Sequence, residues 1–413
     1  MVFTNIASHL QEISNRKVRY IRHIAQVPQL SQDEKEALSR VTDRYAFRAN
    51  SYYLNLIDWE DPDDAIRKIV IPNPEELAED GVLDPSNEGA VTVMHGVEHK
   101  YTTTVLLLVS EVCGTYCRFC FRKRLFMPDN EEVNLDISKG LDYIRAHPEV
   151  DNVLLTGGDT LILGTRRIDQ ILTRLREIPH VKIIRFGTKI PAFNPYRILE
   201  DPQLCDSIAR HSQGERRIYI MAHFNHPREL TDVALKGLDR LLESRAIVVN
   251  QTPLLCGVND NAEILAKLFN RLSYIGVPPY YLFQGRPIAG NKGFRISIRE
   301  GYELLEEAKT QMSGLAKRAR YIMSHASGKI EIVGFLDDRI VLKYHQAKDP
   351  ENLGRLFDLP WEEGACWLDD LRRPAELAHS RHPRHRDLFH RPHLDTVSRR
   401  NRPPVAKPMP RML

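Results

Sequence analysis

Six short apolar runs, each followed by a stretch of helical period, occupy the middle of this 413-residue chain. The runs are TVLLLVS at 104–110, NVLLT at 152–156, VKIIRFG at 181–187, RIYIMA at 217–222, AIVVN at 246–250 and YYLF at 280–283. Between them lie amphipathic stretches such as IDQILTRLREI and NAEILAKLFNRLSYI. Near-continuous apolar strands separated by helices dictate a parallel sheet covered by helices. The fold class is therefore α/β, and six units fit an open or partial (β/α)6 barrel better than a closed eight-fold one. A doubly wound sheet is the competing topology.

Residues 1–95 carry helical patterns with charged faces and read as a mainly helical N-terminal extension to a barrel over 96–300. A longer helical pattern and two strand-like runs, IEIVGF and RIVLKYH, make 301–370 a C-terminal extension. The formal net charge of +3 conceals a division. Residues 371–413 hold 11 Lys or Arg against 3 Asp or Glu, and the first 370 hold 47 against 52. That basic tail, with seven prolines and five histidines, cannot bury enough surface to offset its ordering entropy and is expected to be disordered. It lacks interleaved aromatics, so nucleic acid is not an expected partner. No run approaches the roughly 18 apolar residues of a membrane span, and the N-terminus lacks a secretory pattern. The expected location is cytoplasmic, with no membrane partner.

In a parallel α/β barrel, function gathers on the loops after the strands. Those loops carry, in order, EVCGTYCRFCFRKR, GGDT, GTKIPAF, HFNHP, NQTP and QGRP. Helix starts explain some of this polarity but not three cysteines. Cys113, Cys117 and Cys120 form C-x3-C-x2-C. Structural zinc sites normally pair two CxxC elements, and no second one occurs here. Cys205, Cys256 and Cys366 are isolated and read as buried thiols. Three thiolates on a four-iron cubane leave one iron open for a ligand. A [4Fe-4S] cluster is thus favoured over a zinc knuckle or three core cysteines.

The triplet, with Phe119 before its last cysteine, resembles the signature of radical S-adenosylmethionine enzymes. The resemblance implies that the open iron takes the amino and carboxylate groups of S-adenosylmethionine. It also implies that Gly157, Gly158 and Asp159 help hold that moiety; alone, GGD would be an ordinary turn. CRFCFRKR, LLTGGDTLIL, FGTKIPAFNPYRI, AHFNHPREL, NQTPLLCGVND and PPYYLF then follow in the order and spacing of the lysine 2,3-aminomutase family. The similarity runs from about residue 95 to 334. It implies an isomerase that moves an α-amino group to the neighbouring carbon, using pyridoxal phosphate, the cluster and a partial barrel. It further implies an amino acid substrate and an external electron donor such as flavodoxin or ferredoxin, and it allows a homo-oligomer.

Pyridoxal phosphate is held on a lysine. The family's position falls in SHASGKIEIVG, which offers Lys329; without that context it would be an exposed lysine between strands. Lys100 and Tyr101 in HKYTTT keep the family's basic residue and tyrosine near the cofactor. Thr104 stands where those members have arginine, which leaves the phosphate anchoring incomplete. Arg122 matches the arginine used against the substrate α-carboxylate, a group that a planar guanidinium suits; the alternative is a solvated RKR run. His223 and Asn225 in HFNHP face the same mouth and are expected to help hold S-adenosylmethionine.

Two departures bear on ligands. Lysine-specific members set two aspartates against the distal ammonium of the substrate. One aligns with Arg286, and the other falls near 322–324, where no acid occurs. A lysine ammonium 4 Å from Arg286 would meet repulsion of roughly 4 kcal/mol at an effective dielectric of 20. A distal carboxylate, as in glutamate, would pair with it instead. Some members also bind zinc through a cysteine after GVND and a C-terminal cysteine cluster. Here Asn261 follows GVND and only Cys366 remains near the end, so no zinc is expected. Two rival readings remain. One is an enzyme of the same fold without mutase activity that modifies a protein lysine; the other is a cluster-containing regulatory nucleic-acid-binding protein.

Overall fold

Twelve strands hydrogen-bond into one mixed sheet whose order follows the chain. The computed structural model describes residues 18–78, 80–127 and 130–371; the tail expected to be disordered lies outside them. At one edge β1 (Thr92–Met94), β2 (Val97–Tyr101) and β3 (Thr104–Ser110) pair antiparallel. From β3 the pairing turns parallel through β4 (Asn152–Gly157), β5 (Ile183–Thr188), β6 (Arg217–Ala222), β7 (Ile247–Pro253), β8 (Pro279–Phe283) and β9 (Arg320–His325). An antiparallel meander of β10 (Gly328–Leu336), β11 (Arg339–Ala347) and β12 (Leu356–Pro360) completes the sheet.

The strand order never reverses, so the sheet has no topological switch point and the doubly wound alternative is excluded. The architecture is α/β with a large, mostly parallel sheet. Its parallel set has seven strands rather than the six expected. In β9, only Tyr321, Ile322 and Met323 form a consecutive buried apolar run, and Arg320, Ser324 and His325 mask it. This strand joins 301–370 to the same sheet and the same compact unit, which extends to Leu371.

Helices α1 (Gln32–Arg44), α2 (Ser138–Ala146), α3 (Thr165–Arg176), α4 (Pro202–His211), α5 (Asp232–Glu243), α6 (Ala262–Tyr274) and α7 (Ile298–Thr310) are the longer ones. On α3, Ile168, Ile171, Leu172 and Leu175 recur at helical spacing and are buried. They join Val153, Leu155, Ile184, Phe186, Ile218 and Ile220 from the strands in the main core. Because side chains alternate along a strand, Leu154, Arg185, Met221, Gln251 and Tyr281 face the other way, into a cavity. Asn261, the residue after GVND, caps α6 by accepting from the Ile264 amide.

Over its described residues the N-terminal region holds short helices and irregular chain. Among its described residues, α1 is the one α-helix longer than two turns. Its buried Tyr52, Ile66 and Ile69 pack in a second core with Phe119, Phe193, Leu255 and Phe294 from the strand-end loops. No helix among the described residues is long and apolar enough to cross a membrane.

Candidate functional site

The cysteine loop after β3 is built from turns and held from outside. Cys120 N–H donates to the Cys117 carbonyl at 3.1 Å, and Lys123 N–H to that of Cys120 at 3.2 Å. The N-terminal region supplies the rest. Tyr116 N–H bonds the Arg48 carbonyl, and Arg118 N–H that of Ile69, both at 2.9 Å. The Arg118 guanidinium donates twice to Glu76, at 2.9 and 2.8 Å, and once to the Ala46 carbonyl. Asn50 Nδ2 bonds Thr115 Oγ1 at 3.2 Å and the Phe193 carbonyl at 2.9 Å.

Held this way, all three cysteines line one cavity of about 350 Å³. Burial pushes each thiol above its ordinary value, and Asp159 and the neighbouring sulfurs push Cys113 further. Three such thiolates need a cationic counterpart, which cluster iron supplies. No three imidazole, thiol or carboxylate side chains among the described residues converge on a single ion. A cluster asks instead for one thiolate per iron, and the donor set fits that group.

β4 ends on Gly157, at φ +101°. A Cβ on Gly158 would lie 2.4 Å from the Val112 carbonyl oxygen. These glycines let the backbone press against the cysteine loop, with Gly158 N–H on Ser110 O at 2.6 Å and Asp159 N–H on Val112 O at 3.0 Å. The Asp159 carboxylate accepts from Leu161 N, Thr188 Oγ1, Lys189 N and Ile190 N. Burial pushes it up to about 6 against the pull of those donors. Its acceptor capacity is spent tying strand-end loops together.

His223 lines the cavity, its ring 5.8 Å from that of Phe119, and its Nε2 has no hydrogen-bond partner among the described residues. Burial and Lys189 hold it well below the usual histidine range, so it is neutral. Asn225 is fully buried and is not among the cavity's lining residues; its Oδ1 accepts from Lys189 Nζ at 2.7 Å. Lys189 also pairs with Glu229 at 2.6 Å.

At the other end, Lys329 is the second residue of β10. Gly328 before it sits at φ +154°, and a Cβ there would lie 2.2 Å from the Gln346 carbonyl oxygen. The close approach of β11 therefore demands this glycine. Lys329 Nζ donates to Gln346 Oε1 at 3.0 Å and lies 4.7 Å from the centre of the Tyr101 ring. Lys100 Nζ donates to the His325 carbonyl at 2.6 Å. Burial, then Arg185, Lys100 and Arg286, bring the Lys329 amine down to about 7. Burial and Arg286 bring Lys100 down to about 8.

Between these ends sits a cluster of arginines. Arg122 donates to Glu88 from Nε and Nη2, to Glu98 from Nη2, and to Thr156 Oγ1 from Nη1. Arg124 shares Glu88 at 2.7 Å. The Arg286 guanidinium lies over the Phe121 ring, 3.8 Å from its centre. Its Nη1, 4.0 Å from Glu88, makes no hydrogen bond among the described residues. Seven basic and three acidic side chains line the cavity in all, so it favours anionic ligands. Cys113, Cys117, Cys120, Gly157, Gly158, Asp159, His223, Lys100, Tyr101, Arg122, Arg286 and Lys329 all line it, and Asn225 does not. Sequence reasoning missed Glu88, Glu98, Lys189 and Arg185. The one local signal among them is Arg185, a charge in the middle of an apolar run.

No family model matches the chain. It is 51% identical over 356 residues, 86% of its length and 95% of the relative's, to a protein of Aquifex aeolicus (strain VF5) provisionally assigned as an L-lysine 2,3-aminomutase. The chain belongs to the lysine 2,3-aminomutase family. It is also 34% identical to the L-lysine 2,3-aminomutase of Clostridium subterminale over 306 residues, 73% of the chain and 72% of the relative. To the glutamate 2,3-aminomutase of Clostridioides difficile (strain 630) it is 33% identical over 307 residues, 74% and 71% of the two chains. As a member of the lysine 2,3-aminomutase family the protein is a radical S-adenosylmethionine aminomutase, and hence an isomerase. The family implies a [4Fe-4S] cluster, S-adenosylmethionine, pyridoxal phosphate and an amino acid substrate.

Proposed function

We propose that this aminomutase moves the α-amino group of a glutamate-like amino acid to the β-carbon, inside a partial barrel of seven parallel strands. Cys113, Cys117 and Cys120 hold the cluster. Gly157, Gly158 and His223 border S-adenosylmethionine, with Asp159 and Asn225 as positioning residues. Lys329 carries pyridoxal phosphate beside Tyr101 and Lys100. When bound, these groups supply hydrogen abstraction at the β-carbon and the delocalising ring through which nitrogen migrates. The electron comes from an external donor of the flavodoxin or ferredoxin type.

The chain's residues supply the rest. An amine with a value near 7 is largely uncharged just above neutrality, which makes Lys329 a competent nucleophile toward a carbonyl. Arg122 Nη1 donates to Thr156 and keeps a second N–H, which is available to the substrate α-carboxylate in the cavity it lines. The Phe119, Phe193 and Phe294 side chains in the cavity wall keep water from the reacting carbon.

One observation carries the substrate class: Arg286 Nη1 is buried in the cavity wall without a hydrogen-bond partner among the described residues. Its one near carboxylate, Glu88, is already shared by Arg122 and Arg124. Ser324, in the same wall, brings no acid. A distal carboxylate supplies the missing acceptor, whereas a distal ammonium meets a fixed cation. Anaerobic assay of the reconstituted enzyme against a panel of amino acids should yield the β-isomer of glutamate. Turnover of lysine but not glutamate would overturn the assignment.

A further inference from the structure

The cavity's charges fall into two unlike groups. Around Arg122 and Arg124, the carboxylates of Glu88, Glu98 and Glu132 match each guanidinium. Around Lys329 nothing does. The charged groups acting on its amine are Arg185, Lys100 and Arg286, all cations. Arg185 has no carboxylate within 4 Å among the described residues, and only the hydroxyls of Tyr280 and Tyr281 offset its burial. A buried amine whose charged neighbours are all cations is arranged for an anion that arrives from outside.

The position of the Arg185 head is informative. It is the third residue of β5, between Ile184 and Phe186, which face the core. The side chain crosses the cavity face of β4 and donates from Nε to Asn152 Oδ1 at 2.8 Å. Asn152 is in register with Thr104 on the next strand. Thr104 is buried and lines the same cavity, but it brings no charge. The guanidinium therefore lies one strand from the place where residue 104 leaves a cation missing. Its Nη1 and Nη2 make no hydrogen bond among the described residues, so the bidentate edge of the fork is free.

We propose that Arg185 binds the phosphate of pyridoxal phosphate in this chain, from β5, in place of a cation at position 104. The proposal rests on the assignment of Lys329 as the cofactor lysine. It is tested with the full-length protein by titrating two probes, pyridoxal phosphate and pyridoxal, and following the visible absorbance of the bound ring. Arg185→Gln should weaken pyridoxal phosphate binding about 10–100-fold, the value of a lost charge-assisted contact, and leave pyridoxal within about twofold of the parent. Arg185→Lys should fall between, and adding Thr104→Arg to Arg185→Gln should restore affinity. Equal retention of both probes overturns the role. So does loss of both by the same factor, which would mark Arg185 as a support for Lys329 or the ring. If Arg185→Gln unfolds, Arg185→Lys with and without Thr104→Arg gives the same reading. An unmodified protein that acquires no absorbance from either probe would instead overturn the cofactor assignment itself.

Discussion

Glu98 presents both carboxylate oxygens to Nη2 of Arg122, at 3.3 and 3.1 Å, in a site where both residues are buried. Glu88 accepts from Nε and from the same Nη2, and also reaches Arg124. Two acids thus face one arginine, and their roles diverge. The three arginines hold Glu88 below the ordinary carboxylate range despite its burial. Burial and the charge on Glu88 push Glu98 above it.

Glu88→Gln should therefore destabilise the protein by about 3–5 kcal/mol, because it leaves buried guanidiniums short of a counter-charge. Glu98→Gln should cost less. The Glu88 contribution is fully present above its unfolded value of 4.5 and is lost as pH falls through its lower folded value. Denaturant midpoints of the parent and the two variants between pH 2 and 8 check the order and the slope.

Lys329 titrates from the opposite side. Its folded value of about 7 lies below the ordinary 10.5, so between those limits the unfolded chain binds the extra proton. Stability of the cofactor-free protein should rise with pH across that window relative to Lys329→Met. Capture of pyridoxal phosphate should be half-maximal near pH 7 and absent in Lys329→Ala. Calorimetry across a pH series measures the first, and stopped-flow absorbance the second.

Gly158→Ala would set a methyl 2.4 Å from the Val112 carbonyl oxygen. The displaced loop should cost about 1–3 kcal/mol and weaken S-adenosylmethionine binding at least tenfold, while iron content stays near that of the parent. Equilibrium binding and iron analysis separate these effects.

Any one of Cys113→Ala, Cys117→Ala and Cys120→Ala should remove cluster absorbance and reduce turnover to background, because each iron loses its only protein ligand. Lys329→Ala, by contrast, should retain the cluster absorbance.

What the chain discloses directly is what its chemistry keeps local. Cys113 and Cys120 are seven residues apart, so spacing alone exposes the triplet; Gly157, Gly158 and Asp159 are consecutive and stand out only beside it. The Glu88–Arg122 pair spans 34 residues and Lys189–Glu229 spans 40, and nothing local marks either partnership. Asp159 is legible as a site residue but not as a residue whose carboxylate is consumed by backbone donors. Strand β9 escapes notice because a parallel strand buried over only three residues has no apolar signature. Arg185 is visible as an oddity, but its direction depends on knowing which neighbours in β5 face the core.

The ion pair between Arg118 and Glu76 has a further implication. Arg118 lies between the second and third cysteines, and Glu76 lies before the first strand of the sheet. The loop that carries the ligands is thus splinted by a part of the chain that contributes none of them. A transplant of the strands and their cysteines into another scaffold would carry the ligands without the brace that sets their spacing. Two segments that meet only after folding share custody of the candidate cluster site, and neither could be inherited usefully alone.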